Sequence, residues 1–522
     1  MEIYCPPSSF RKPGGTLGIV YGPHLYLFPV RDPRPEIIPT ADKVIPLAEA
    51  ANDLTQLIGL LARYKCRSCW CLPQGKTASK QDVTLLADFD RIDLFKLNET
   101  TTEWLYQPLT GQHNKLVGIT VKQLGRDGQP TGQPYMLYAV WANTFNTEYI
   151  FSVEGEKRVG VLAGALLLVS FVLNIQLRYS ASWTGQCALR EELQSWNKEL
   201  QGFPVISDSL YKVLEQYHAR WLLWSRPLTS TDAYRGSMYQ YDRNWSFVSS
   251  AREVPVGQPT RTKQYNPSLH GFYRVTASAP TTWNTKLPGV FIDDEGNYPL
   301  HVRDVVAWNP QIALALKLGW TVHVTDGYVW AKEQKHDLFR SWQERLWKAR
   351  RECETLKAER IGLEQDVATI AVKMIKLIGV SAIGKLIQKT SNYLMATDAA
   401  VAEGKEIVSI ERSRNFQLTG RAQVREERSS DLYQPGWWSA IIARQTERIQ
   451  TSLYTLASDA AIGTYIDCIY CVRPVEALNG EKLKTGGFRL ADVSHPPIER
   501  DMTLSPKALA TLHKQSKDIP QW

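Results

Sequence analysis

The sequence predicts an α+β protein of several domains that opens with an α/β domain of about 200 residues. Three observations carry that reading. The chain has 522 residues, enough for two to four domains and a large core. Its first part alternates β-like runs with apolar-periodic helices. Its later part follows an aromatic, β-rich segment with a long, charged helical stretch.

The elements follow in order. Residues 15–75 mix β-like runs (TLGIVYGPHLYLFPV) with one amphipathic helix, LAEAANDLTQLIGLLARY. Residues 83–150 read as strands and turns, with RDGQ in KLVGITVKQLGRDGQPTG as a hairpin signal. Helices are expected over Val159–Leu173 and Cys187–Leu200. Residues 234–330 are aromatic and β-rich, with turns expected at DDEGNY and VTDGY. The stretch from Asp337 to about Lys389 is too long for one globular helix and predicts two antiparallel helices. A further helix, WWSAIIARQTERIQTSLYTLA, leads into the β-like run AIGTYIDCIYCV, which carries Asp467. A basic helix in SPKALATLHKQSK closes the chain. There is no internal repeat or low-complexity tract.

Composition excludes little. The formal charge of +8 permits a nucleic-acid partner without requiring one. The tryptophans are read first as core residues, and stacking on bases as the rarer use. CRSCWC (Cys66, Cys69, Cys71) lacks the second ligand pair of a zinc site and reads as buried or free thiols. Cys468 and Cys471 form a CxxC inside a strand, where they point to opposite faces. The N-terminus has no signal-peptide pattern. The apolar run Val159–Leu173 is shorter than the roughly 20 residues of a bilayer span, so it reads as a buried helix and no membrane partner is expected.

Three groups carry the chemistry. Asp242 lies on a strand, Asp467 on a distant β-run, and Lys376 on the long helical stretch. Two carboxylates can hold a pair of Mg²⁺ (or Mn²⁺) ions, and a lysine can neutralise leaving phosphates. Alone, each has a bland reading as a cap, a turn or a solvated charge.

Their order and surroundings resemble the family B DNA polymerases, specifically the protein-primed subgroup of phages and linear plasmids. That family's first palm motif is D-x-x-S-L-Y-P-S. Here Asp242 is followed by Arg243, Asn244, Trp245, Ser246, Phe247, Val248 and Ser249, with Phe247 in place of the Tyr. YRGS (Tyr234, Arg235, Gly236, Ser237) resembles the Y-x-G-G template-contact motif just upstream. The fingers motif K-x-x-x-N-S-x-Y-G is matched by Lys376, Ser381 and Gly384, while Val380 and Ile383 replace the Asn and Tyr. Arg350 resembles a second phosphate-binding basic residue, and Lys373 lies one turn before Lys376. The third palm motif, Y-x-D-T-D-S, aligns its second Asp with Asp467; Tyr465 stands at the first Asp and Cys468 at the Ser. SPKALA resembles the primer-gripping P-K-x-Y element, with Lys507 kept and Leu509 for the Tyr. The resemblance spans roughly residues 155–510.

The resemblance implies a right-hand polymerase (palm, fingers and a reduced thumb) behind an RNase H-like exonuclease-type α/β domain. The implied division is 1–230 exonuclease-like, 231–336 first part of the palm, 337–389 fingers, 390–480 second part of the palm and 481–522 thumb. It implies DNA-directed DNA synthesis with Asp242 and Asp467 as metal ligands and Lys376 acting on the leaving phosphates. Lys376, Lys373, Arg350, Phe247, Ser381 and Gly384 would bind the dNTP, with Phe247 as the steric gate. Tyr234, Arg235, Gly236 and Lys507 would bind the DNA primer–template. A terminal protein or accessory subunit is a further implied partner, and the cytoplasm, of the host if the chain is viral, the implied location. The exonuclease carboxylates are missing: GTLGIVYG has no acid, and the Y-x-x-x-D position offers Glu154 and Arg158. Asp88 and Asp90 in LLADFD read as a strand-end turn. No proofreading is therefore expected. The rival reading is a catalytically inactive polymerase-like module that binds nucleic acid or a partner, favoured by the losses at Tyr465, Val380 and Ile383.

Overall fold

The computed structural model describes residues 15–47, 54–72, 104–110, 116–139, 150, 152–178, 180–200, 214, 222–229, 232, 237–251, 254–331, 335–387, 389–395, 407–412, 418–429, 432–480, 486–494 and 505–515. Tyr234, Arg235, Gly236, Asp88 and Asp90 lie outside these residues. The chain divides into two compact units. The first comprises Met1–Glu192, Glu344–Lys385 and Lys389–Ser429; the second comprises Leu193–Gln343, Leu386–Gln388 and Ser430–Trp522. Most of the 337–389 stretch groups with the N-terminal residues.

The first unit is built on a seven-stranded mixed sheet. Thr16–Tyr21, His24–Pro29 and Lys43–Pro46 form an antiparallel meander. Ser68–Leu72 runs parallel to Thr16–Tyr21, and Pro130–Ala139 parallel to Ser68–Leu72. The expected hairpin at RDGQ is present, pairing Leu116–Leu124 with Pro130–Ala139. Gly128 supplies the positive φ (73°) that its turn requires. Cys66, Cys69 and Cys71 are buried free thiols in the sheet's core.

The helix Lys157–Leu173 is apolar on nearly every side because it is buried on nearly every side. It packs against Thr16–Tyr21 and against the helix Gly362–Gly384. A side chain at Gly164 would strike the Ile37 carbonyl and crowd Val367, so glycine permits this approach. Gly362–Gly384 is the one described helix long and apolar enough to cross a membrane, and its apolar residues are largely buried within the unit. Residues 337–389 thus hold two helices, Arg340–Glu359 and Gly362–Gly384, separated at the left-handed Gly362 (φ 58°).

The two larger sheets of the second unit are antiparallel. One has five strands in the order Phe488–Ser494, Met238–Arg243, Cys468–Cys471, Ala461–Tyr465, Leu223–Ser225. The other contains Thr260–Thr262, Thr321–Trp330, His270–Ser278 and His301–Trp308. A shared core joins them to the helix Pro435–Leu456: Tyr241 and Ile469 from the first sheet, Tyr273 and Val275 from the second, Ile449 and Leu453 from the helix. Burying such side chains supplies most of the stabilisation, about 1.5–3 kcal/mol each. The turn expected at DDEGNY forms, closed by the Gly296 amide on the Asp293 carbonyl (3.2 Å). The turn expected at VTDGY does not, because those residues continue the strand Thr321–Trp330. Gly327 sits there because the Tyr273 ring fills the space of its missing side chain.

Candidate metal centre

Asp467 does not lie within a strand, as the β-like run suggested. Tyr465 pairs with Cys468, so Ile466 and Asp467 form a two-residue turn between Ala461–Tyr465 and Cys468–Cys471. Two-residue hairpin turns of this kind need positive φ at the first central residue. Ile466 adopts it (φ 60°), a costly conformation for a β-branched side chain. Packing holds the hairpin in place. Gly463 lets the helix Pro506–Gln515 approach, since a side chain there would meet Leu509 Cδ2 at 2.5 Å. Tyr465 packs onto the cluster of Met238, Ile462, Tyr470 and Leu509.

Asp242 is the penultimate residue of Met238–Arg243 and pairs in register with Cys468. The Arg243 amide donates to the Asp467 carbonyl (3.1 Å) and ties the strand to the turn. The two carboxylates converge as a result. One donor atom each from Asp242, Asp467 and Cys468 lies within 4.8 Å of the others. The Cys468 thiol donates to Asp242 Oδ1 (3.5 Å) and faces Asp467 Oδ1 (3.8 Å). Both carboxylates are half-buried and the thiol is buried. Burial pushes the thiol's pKa up, and the charges of Asp467 and Asp242 add to it.

Cations surround the pair. Arg489, in register with Asp242 on the neighbouring strand, places Nη2 3.7 Å from Asp242 Oδ2. Arg243 is buried; its Nε donates to the Gly486 carbonyl (2.9 Å), and its Nη1 to the Ser246 and Ser250 hydroxyls (3.2 Å each). Burial brings its pKa down to about 9, and nearby Arg448 adds to this, against the opposing charges of Glu447 and Asp467. The short helix Ser246–Ser250 follows Trp245, itself left-handed (φ 53°). Arg444 and Arg448 donate to the Ser250 and Ser249 carbonyls (3.0 and 3.1 Å), capping the helix's C-terminal end. Phe247 stacks on Trp438, ring centroids 6.3 Å apart and planes 4° apart.

The other site residues are placed as follows. Lys376 is exposed and Lys373 half-buried on the helix Gly362–Gly384, with Ser381 and Gly384 in its last turn. Arg350 is buried, 3.7 Å from Glu354 and over the Trp347 ring. These five belong to the first unit. Asp242, Phe247, Asp467 and Lys507, the last exposed on Pro506–Gln515, belong to the second. Sequence reasoning missed Cys468 as a donor, although it adjoins Asp467. It also missed Arg489, whose register partner Asp242 lies on a strand distant in sequence.

The fold and this site define, first, a class: an α+β chain with the fold of a DNA polymerase. Among the solved structures it resembles are those of phi29 DNA polymerase. The complex with primer–template DNA and incoming nucleotide substrates superposes with a TM-score of 0.54 at 11% identity, covering 93% of this chain and 85% of that one. The binary complex with primer–template DNA gives 0.53 at 12% identity over 92% and 85%. The complex with single-stranded DNA gives 0.52 at 12% identity over the same shares. At such identity the likeness shows the fold. No protein-family model matches the chain, and no curated protein matches it.

Proposed function

We propose that the chain is a DNA-directed DNA polymerase of the protein-primed family B type that lacks 3′–5′ proofreading. The observation that carries this reading is the convergence of Asp242 and Asp467 at the ends of paired strands in a polymerase fold. Carboxylate oxygens suit Mg²⁺ or Mn²⁺, so Asp242 and Asp467 are the residues that would hold the ions. Bound there, the ions would lower the pKa of the primer 3′-hydroxyl and offset charge on the departing pyrophosphate.

The remaining roles fall to the chain's own groups. Lys376, Lys373 and Arg350 bind the triphosphate, with Ser381 and Gly384 alongside. Phe247, held by its stack on Trp438, packs under the sugar and rejects a 2′-hydroxyl. Tyr234, Arg235, Gly236 and Lys507 contact the primer–template. In the palm, fingers and thumb division, the five-stranded sheet is the palm and the Arg340–Gly384 helices the fingers. The hydroxyl that attacks belongs to a primer or to a terminal protein, and the work is cytoplasmic, in the host if the chain is viral.

The loss of proofreading is supported by the first unit. Its central strands TLGIVY and HLYLFP carry no acid. Arg158 is buried and its Nε donates to the Val153 carbonyl (3.0 Å), while Glu154 is exposed. The mixed sheet order agrees with an RNase H-like domain kept for its fold.

One observation favours the rival reading of an inactive module: Arg489 already offers a cation to Asp242. Primer extension decides. Each dNTP is supplied singly against a defined template base, in Mg²⁺ and in Mn²⁺. The polymerase reading expects incorporation of the complementary nucleotide alone. Tight primer–template binding without incorporation in either metal would establish the inactive module instead.

A further inference from the structure

We infer that Cys468 is a third metal ligand and that it gives the Asp242–Asp467 site added affinity for a thiophilic divalent cation of the Zn²⁺ class. The inference rests on the same site as the polymerase reading but not on its activity. Two carboxylate oxygens and a sulfur form the donor set. Thiolate sulfur is a poor ligand for hard Mg²⁺ and a good one for Zn²⁺ and its heavier relatives.

The distances agree with one tetrahedral ion. With Zn–S near 2.3 Å and Zn–O near 2.1 Å, tetrahedral angles separate sulfur and oxygen by about 3.6 Å. Cys468 Sγ lies 3.5 Å from Asp242 Oδ1 and 3.8 Å from Asp467 Oδ1. The Asp242 and Asp467 oxygens, within 4.8 Å of each other, close toward the roughly 3.4 Å of a shared tetrahedral ion as it binds. The thiol proton leaves to solvent as sulfur binds. Three protein ligands leave a fourth position open, the pattern of zinc sites that admit water or substrate.

The local structure fixes the sulfur. Cys468 opens the strand Cys468–Cys471, directly after the turn that carries Asp467 and in register with Asp242. Gln240 Nε2 lies 3.2 Å from Sγ and orients it from the neighbouring strand. Serine at this position would offer a harder and weaker donor.

Cd²⁺ alone is the probe, because a thiolate–Cd²⁺ bond has an ultraviolet charge-transfer band. The full chain is titrated with Cd²⁺ in the absence of DNA. The proposal expects a saturable band, lost in Cys468→Ser, with Cd²⁺ affinity lowered at least ~10-fold in Asp467→Asn, which keeps the thiol. The other described cysteines are buried free thiols away from this donor set, and subtracting the Cys468→Ser titration removes any signal from them. The absence of a saturable band in the wild type, or a band that persists in Cys468→Ser with unchanged affinity in Asp467→Asn, would overturn it. Wild-type primer extension in Mg²⁺ and in Mn²⁺ separates the two readings. Extension without the Cd²⁺ band defeats the thiol inference alone; the band without extension defeats the polymerase reading alone.

Discussion

Two sheets in this molecule face the same demand with opposite results. In the first unit, strands Thr16–Tyr21 and His24–Pro29 bury apolar side chains on both faces and carry no carboxylate. In the second, Met238–Arg243 and the Ala461–Cys471 hairpin end in two carboxylates and a thiol that converge. Both sheets pack apolar side chains into a core. A sheet needs its ladder and its apolar faces to fold; acids at its strand ends add only repulsion until a cation arrives. The first sheet carries what folding needs, and the second also brings three metal-ligating groups together.

The sharpest way to break that contrast is to remove one of the converging carboxylates. Asp242→Asn should lower nucleotide incorporation at least about 10³-fold while leaving thermal stability nearly unchanged. Incorporation measured in excess Mn²⁺ together with a melting curve checks both halves.

The converse change should fail in the first sheet. Arg158→Asp puts an acid at the position where the sequence reading expected an exonuclease carboxylate, yet Arg158 is buried and bonded to the Val153 carbonyl. An unpaired buried carboxylate should cost about 3 kcal/mol without creating digestion of single-stranded DNA. Urea denaturation and a single-strand digestion assay test it; gained digestion would mean that the missing acid alone separated the two sheets.

The support beneath the second site is itself electrostatic. Arg226 donates to the Ala461 carbonyl (2.9 Å) and is paired with Asp232 at 2.6 Å. Burial opposes ionisation of Asp232, but hydrogen bonds from Arg226 and Thr229 outweigh it and bring its pKa down to about 2. A depressed folded-state pKa gives stability that is present above the unfolded value near 4 and lost as pH falls toward 2. Asp232→Asn should therefore cost about 1–2 kcal/mol at neutral pH, with the gap to wild type closing at about pH 2. Chemical denaturation across that range measures it.

Smaller effects sharpen the picture. Arg489→Met removes the cation facing Asp242 and should raise Mn²⁺ affinity about 3–10-fold, read by electron paramagnetic resonance of free Mn²⁺. Ile466→Gly relieves the left-handed isoleucine in the turn and should stabilise the protein by less than about 1 kcal/mol, read from the denaturation midpoint.

Much of this was legible in the amino-acid sequence. An unbroken apolar run marked the buried helix Lys157–Leu173, the length of the helical pattern marked the two helices in 337–389, and RDGQ marked its hairpin. Asp242 and Asp467 were legible through residue type and order. The turn at Asp467 was not, because Ile-Asp lacks the Gly or Asn that signals a tight hairpin and tertiary packing imposes the positive φ. VTDGY misled for the opposite reason: its Gly serves the Tyr273 ring, not a turn. Arg489 and Cys468 became visible only through strand register, which sets neighbours that spacing along the chain does not reveal.

The central claim is that Asp242 and Asp467 form one metal centre that performs templated synthesis. Single-turnover incorporation of the matched nucleotide into a primer–template, in Mn²⁺, tests it by comparing wild type with Asp467→Ala. The account predicts a fast wild-type phase that the substitution slows at least about 10³-fold with primer–template affinity unchanged. Equal incorporation by both proteins would contradict it.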